Sequence, residues 1–428
     1  MRLIFLFFAV FVIWGVSSSF SFKEGDVVLT SESINSTSAE QSAILSANSQ
    51  NGQSQRVTVK HDALIYPSYN TSPKAPDAAG MNSIAVQLAS KMKLGWNIGN
   101  TLEAIGGENA WGNPDISKEY IKTVKGLGFN AIRLPCAWDQ YSDQKTAKIK
   151  QEWLDRVKEV VGYCIDNDMY VLLNIHWDGG WLEKNCTPEK SDSVKAKQKA
   201  FWEQIATAMR DFDEHLMFGS ANEPEVHNAV GMEVLHSYHQ IFVNTVRATG
   251  GKNSYRVLVI QGPGTNIEKS NELMSMPTDQ IEGRMMAEVH YYTPSQFCFL
   301  NEDVSWGKMA YYWGKGFHSS TEPERNATYG EEADVDKSFN LAKTKFVEKG
   351  IPVILGEFGA YRRNHNKYIP KDLDKHNNSI DYWIKYVTKQ AIANGLVPFW
   401  WDIGVALDRK NYKVKDQRTI DALIEGSK

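Results

Sequence analysis

Two short peptides each place a glutamate directly after an apolar, strand-like run. Asn222-Glu223-Pro224 follows Leu216 to Ser220, and Gly356-Glu357-Phe358-Gly359 follows Pro352 to Leu355. Two carboxylates at the ends of two barrel strands suit acid-assisted double displacement at an acetal carbon. One carboxylic acid protonates the leaving oxygen. The other carboxylate attacks the anomeric carbon, the pair standing about 5–5.5 Å apart. Other residues at strand ends could serve that pair. Arg133 can bond a carboxylate and keep it ionised, which suits the nucleophile. His290 and Tyr292 can hydrogen-bond the carboxylates and hold their orientation. Asn222 can bond a sugar 2-hydroxyl, and Trp400 offers a floor for the reacting ring. Asn97, His176 and Gln261 close further strand-like runs.

These residues converge only if the strands carrying them do. Eight runs read as strands: Leu94–Asn97, Ala131–Leu134, Tyr170–Ile175, Leu216–Ser220, Val257–Gln261, Met285–His290, Val353–Gly356 and Val397–Trp401. Most are apolar or β-branched without alternation, as expected of parallel strands buried on both faces. Helical spacing fills the gaps. Ala78–Lys91 precedes the first strand, and Gln151–Asn167, Lys197–Arg210, Met232–Val246, Asp334–Lys349 and Ile380–Asn394 separate later ones. Gly or Asn stops close most helices, among them Gly126-Leu127-Gly128, Asn167, Gly350 and Asn394-Gly395. Eight strand–helix units predict a (β/α)8 TIM barrel, with the strand ends gathered at one mouth. A doubly wound sheet is the alternative, but no glycine-rich phosphate loop follows any strand. The connection from Tyr291 to Asp334 is unusually long and holds Trp306, Tyr311, Tyr312, Trp313 and Phe317. Such a loop is expected to be functional, and its aromatics suggest a cleft wall.

The chain has 428 residues and a net charge of −4 with both signs mixed, so no basic stripe points to nucleic acid. Arg2, the apolar run Leu3–Val16 and the serines Ser17 to Ser19 read as a secretory signal over residues 1–19. That run is too short to span a bilayer, so no membrane attachment is expected once it is removed. Residues 20–76 read as a Ser/Asn-rich linker or extension, in which Arg56–Val59 and Leu64–Tyr66 could pair as a hairpin. Residues 77–428 then form the catalytic domain of a secreted monomer. Cys136, Cys164, Cys186 and Cys298 allow one disulfide, with the pairing open, and show no zinc spacing. No metal or organic cofactor is called for.

From about Ala78 onward the chain resembles glycoside hydrolase family 5. The resemblance rests on Gly95-Trp96-Asn97-Ile98-Gly99-Asn100-Thr101-Leu102-Glu103, Ile132-Arg133-Leu134-Pro135, Leu173-Asn174-Ile175-His176, Asn222-Glu223-Pro224, His290-Tyr291-Tyr292, Gly356-Glu357-Phe358-Gly359 and Phe399-Trp400-Trp401-Asp402. The first and last motifs look most like subfamily 4, rich in endo-β-1,4-glucanases and including xyloglucanases. The resemblance implies Glu223 as acid/base and Glu357 as nucleophile, cleaving a β-1,4-linked polysaccharide. It implies a shared surrounding set of Arg133, His176, Asn222, His290, Tyr292 and Trp400, and a non-proline cis peptide at Trp400-Trp401. Asn97 is taken as a further substrate contact. Many members carry a second His where this chain has Trp177, which places Trp177 at a subsite just beyond the cleaved bond. A xyloglucanase or β-mannanase is the alternative on the same machinery, and a non-catalytic sugar-binding barrel is the remoter one.

Overall fold

The structure, a computed structural model, describes residues 65–364 and 367–428. Eight parallel strands close into one barrel. They are β1 (Gly95–Ile98), β2 (Ala131–Leu134), β3 (Tyr170–Asn174), β4 (Leu216–Gly219), β5 (Leu258–Gln261), β6 (Met285–Tyr291), β7 (Val353–Phe358) and β8 (Leu396–Asp402). Each strand is followed in turn by a helix: α1 (Lys118–Gly126), α2 (Gln151–Ile165), α3 (Ser191–Ala208), α4 (Ala229–Ala248), α5 (Ile267–Leu273), α6 (Glu332–Lys345), α7 (Leu373–Ala393) and α8 (Gln417–Gly426). This is the expected TIM barrel, and all eight expected strands are present. In α2, Trp153, Leu154, Val157, Val160, Val161 and Cys164 recur at helical spacing and are all buried. Polar caps start the helices earlier than the apolar pattern suggested. Asn228 accepts the Gly231 N–H before α4, and Asp372 accepts the Lys375 N–H before α7.

Side-chain alternation divides the barrel interior into two layers. The lower layer is apolar: Ala131, Leu172, Met217, Val259, Met286, Ile354, Val397 and Phe399 pack with Ala85 and Leu88 of the helix Ala85–Lys91. That short helix closes the lower mouth, and burying Leu88 contributes about 2 kcal/mol. Gly95 faces Phe399, and a Cβ there would lie 2.1 Å from the ring, so only glycine lets the phenyl fill this layer. Two residues further along the same strands the interior turns polar. Asn97, Arg133, Asn174, Gln261 and Glu288 are all fully buried.

Residues 65–76, placed with the linker on sequence, lie against the barrel. The Tyr69 N–H donates to Glu203 Oε2 at 2.6 Å and its hydroxyl to the Thr146 carbonyl at 2.8 Å. Lys74–Pro76 pairs in parallel with Gly250–Gly251. A Cβ on Gly250, which has a φ of +71°, would stand 1.8 Å from the Lys74 carbonyl oxygen. The ordered body therefore begins upstream of residue 77. The expected hairpin falls outside the described residues except for Ile65 and Tyr66, which form no strand. The signal segment also lies outside them. Among the described residues no helix is long and apolar enough to cross a membrane.

The long connection after β6 turns inward several of the aromatics expected to wall the cleft. Tyr311, Tyr312 and Trp313 are buried. The Trp313 indole N–H donates to the Gly330 carbonyl at 2.6 Å, and the Tyr312 hydroxyl donates to Glu322 Oε2 at 2.6 Å. These aromatics supply the loop's own core, which is how so long a segment stays ordered. Phe299, Trp306 and Tyr329 of the connection are exposed, and Phe299 stands edge-on to Tyr292 with ring centres 5.7 Å apart. All four cysteines are free and buried, so the permitted disulfide is not formed. Cys164 sits in α2 and the others in separate loop or short helical segments.

Candidate active site

The polar upper layer supports a group of charges at the barrel mouth. Arg133 is at its centre. Its Nη1 donates to Glu357 Oε1 at 2.7 Å and to Asn97 Oδ1 at 3.1 Å. Its Nη2 donates to Asn222 Oδ1 at 2.7 Å, and its Nε lies 2.8 Å from Glu288 Oε1. The Tyr292 hydroxyl donates to Glu357 Oε2 at 3.0 Å. His290 Nδ1 stands 2.7 Å from Glu223 Oε1, and its Nε2 stands 3.2 Å from Glu288 Oε1. One oxygen each from Glu223 and Glu357, with a ring nitrogen of His290, lie within 4.8 Å of one another.

A register shift sets this meeting. β6 and β7 pair Val289 with Leu355 but His290 with Glu357, so β7 carries one extra residue there. That residue is Gly356. A Cβ on it would fall 2.0 Å from Glu288 Oε1, so the glycine makes room for the buried carboxylate.

Burial disfavours the His290 cation, but Glu357, Glu223 and Glu288 outweigh it and raise the imidazole to about 9. Burial likewise opposes ionisation of Glu288, yet Arg133 and His290 hold it below the usual carboxylate range. His176 goes the other way: burial, then the Arg133 and His290 charges, keep it neutral far below its ordinary value. Burial and Glu357 push the Tyr292 phenol up, so it remains a donor. Glu223, His290 and Glu357 are close enough to share a metal ion. Their bonding suits one poorly, because a doubly protonated imidazole has no lone pair to give and Glu357 is held by two donors.

Arg133, Asn222, Glu223, His290, Tyr292 and Glu357 are thus brought together, and His176 and Trp177 lie at the same mouth, after β3. Two placements differ from the sequence reading. Asn97 is no substrate contact. It is fully buried, and its Nδ2 donates to the Gly356 carbonyl at 2.8 Å while its Oδ1 holds Arg133. Arg133 is equally buried and bonds the Glu357 carboxylate, the part expected of it. Trp400 is 5 % exposed and packs edge-on against Phe358, in the outer core. Its neighbour Trp401 faces the mouth instead and stacks on His176, 5.8 Å between ring centres and 10° from parallel. One residue along a strand reverses the face. The Trp400–Trp401 peptide is not cis; among the described residues the cis bond is Thr293–Pro294. β8 keeps its pairing through this point, Trp400 opposite Trp96 and Trp401 opposite Asn97.

Two buried carboxyls were missed as site residues. Glu288 lies two residues before His290 on the same strand, hence on the same inward face. A charge inside an otherwise apolar strand was the available signal. Glu183, 4 % exposed, accepts the Glu223 N–H at 2.8 Å, and nothing in its surroundings in sequence announced it.

The comparisons with known proteins agree with this geometry. The family model described as cellulase (glycosyl hydrolase family 5) matches residues 96–406. The chain is 34 % identical over 413 residues to a xyloglucan-specific endo-β-1,4-glucanase of Bacteroides ovatus, covering 92 % of this chain and 80 % of that one. It is 34 % identical over 385 residues to an endoglucanase A of Paenibacillus barcinonensis, covering 82 % and 92 %. Among solved structures, the Bacteroides ovatus family 5 xyloglucanase with a bound XXXG heptasaccharide superposes with a TM-score of 0.78 at 32 % identity, over 85 % of this chain and 80 % of that one. With the barrel, the paired glutamates and these matches in hand, the chain belongs to glycosyl hydrolase family 5.

Proposed function

We propose that this chain is an endo-β-1,4-glucanase that cleaves internal bonds of β-1,4-linked glucans with retention, Glu223 acting as acid/base and Glu357 as nucleophile. One observation carries the reading: oxygens of the two glutamates stand within 4.8 Å. That spacing suits direct attack by a carboxylate, whereas an inverting pair leaves a wider gap for water. Glu223 protonates the glycosidic oxygen as a Glu357 oxygen attacks the anomeric carbon from the other face. Glu223, now a carboxylate, takes a proton from the water that releases the glycosyl-enzyme. Arg133 and Tyr292 hold the two Glu357 oxygens in line. Arg133 and His290 supply two positive charges against Glu288 and Glu357, so one proton can come and go at Glu223 without stranding a buried charge. Asn222, its Oδ1 committed to Arg133, presents its amide N–H to the sugar 2-hydroxyl. The Trp401 indole, stacked on His176, takes the place at the sugar that Trp400 was expected to fill.

The second reading is preference for xyloglucan, whose backbone is the same glucan. The Bacteroides ovatus relative, named as xyloglucan-specific, favours it. Hydrolysis of carboxymethyl-cellulose, barley β-glucan, xyloglucan and mannan, with product lengths followed in time, separates the two. The proposal expects early mid-length products from the first two. Cleavage of xyloglucan alone establishes the second reading, and cleavage of mannan alone defeats both. The amino-terminal sequence further supports secretion and action on extracellular polysaccharide, and a monomer is the proposed state; amino-terminal sequencing of exported protein and sedimentation check the two.

A further inference from the structure

Glu183 is a buried carboxyl that the reaction does not use. It lies in the connection from β3 to α3, within the turn Glu183–Asn185. Its Oε1 accepts the Glu223 backbone N–H at 2.8 Å, and its carbonyl accepts the Glu225 N–H at 2.9 Å. The Asn222 side chain also acts on this carboxyl, opposing the rise in its pKa, while Asn222 Oδ1 accepts from Arg133. The Asn222 amide nitrogen is therefore the group that faces Glu183. The connection is itself anchored, the Tyr238 hydroxyl of α4 donating to the Asn185 carbonyl at 2.7 Å. The Glu223 side chain, by contrast, is 35 % exposed, and His290 holds it at Oε1. Its reach to a leaving oxygen depends on where the main chain is fixed.

We propose that Glu183 is the positioning residue for the acid/base: it pins the Glu223 backbone, beside the Asn222 amide, where proton transfer to the leaving oxygen requires it. This rests on Glu223 being the acid/base. Burial pushes the Glu183 carboxyl up to about 8, the Glu223 and Glu357 charges adding to that effect and the bonds from the Glu223 N–H and Asn222 opposing it. At neutral pH it is an uncharged acceptor and adds no third negative charge beside the reacting pair. Cys186 in the same connection is raised to about 12 and stays a thiol. Glutamine is then the isostere that keeps the carbonyl acceptor.

The test compares kcat/KM for a cello-oligosaccharide, whose leaving group needs a proton, with that for 2,4-dinitrophenyl β-cellobioside, whose leaving group does not. Glu183→Ala should lose about 10²-fold on the oligosaccharide, the cost of misplacing a catalytic group by about 1 Å, and under about 10-fold on the aryl substrate. Glu183→Gln should restore both to within a few-fold. Glu183→Asp keeps the carboxyl but falls one methylene short, so it should show the same selective loss and serves if the alanine variant does not fold. Parallel losses on the two substrates, or no loss, overturn the proposal. Glu223→Ala is the control. If it too lost both activities equally, the acid assignment would fall and the proposal with it. Selective loss there without selective loss at Glu183 overturns the role of Glu183 alone.

Discussion

Glu357 and Glu223 reach the same space from β7 and from the end of β4, but in different settings. Glu357 is 7 % exposed at its side chain, and each of its oxygens has a fixed donor, Arg133 on one and Tyr292 on the other. Glu223 is 35 % exposed and meets one side chain, His290, at one oxygen. A nucleophile must keep its charge and its aim, which buried donors provide. An acid/base must exchange a proton with the leaving group and with water, which needs an open side and a neighbour that tolerates both states. The asymmetry of the surroundings therefore assigns the two roles better than either carboxylate does alone.

Removing the nucleophile is the strongest way to break this comparison. Glu357→Gln should retain less than about one part in 10⁴ of kcat, as for nucleophile removal elsewhere, with the fold and sugar binding intact by circular dichroism and calorimetry. Activity of more than a few per cent would sink the assignment. Arg133→Met comes next. It strands two buried carboxylates, Glu288 and Glu357, so unfolding in urea should show a loss of about 3–5 kcal/mol, with activity abolished. An unchanged midpoint would mean Arg133 is not the counter-charge described.

The neighbouring tryptophans sharpen the contrast between core and mouth. Trp400→Ala should cost about 3–5 kcal/mol of stability, as for a large aromatic removed from a core, because Trp400 packs on Phe358. Trp401→Ala should cost about 1 kcal/mol or less while raising KM for polysaccharide about tenfold, a loss of about 1.4 kcal/mol in binding. Reversed effects would return the sugar floor to Trp400.

The smallest effect is on stability against pH. His290 is held at about 9, above its ordinary 6.5. Its charge therefore stabilises the fold fully below about pH 6.5, and that contribution is lost as pH rises through about 9. Glu183, raised from 4.5 to about 8, acts with the same sign. The urea midpoint should fall across this window, and His290→Gln should flatten the fall. An equal slope in both proteins would contradict the charged His290.

The barrel was legible because buried parallel strands leave unbroken apolar runs, and all eight fell in place. The reacting glutamates were legible because each ends such a run. What stayed hidden depended on facing and reach. Trp400 and Trp401 are adjacent in sequence, and only the pairing of β8 decides which one points inward. Asn97 comes at the end of an apolar run in the sequence as His176 does, yet it lies one layer lower and is saturated by Arg133 and backbone carbonyls. Glu183 is about forty residues from Glu223 in sequence, and no local pattern records their contact. The aromatics after β6 looked like a sugar platform because a loop core and a binding surface use the same residue types.

The division of labour is tested most directly by the anomer formed when azide replaces each carboxylate. Glu357→Gly and Glu223→Ala would each be given an aryl β-cellobioside with azide, and the glycosyl azide examined by proton NMR. With Glu357 as nucleophile, its vacancy admits azide on the face opposite the leaving group, so the first variant should yield the α-azide. With Glu223 as acid/base, azide enters its space after the glycosyl-enzyme has formed, so the second should yield the β-azide. The same anomer from both variants, or the two reversed, would contradict the assignment.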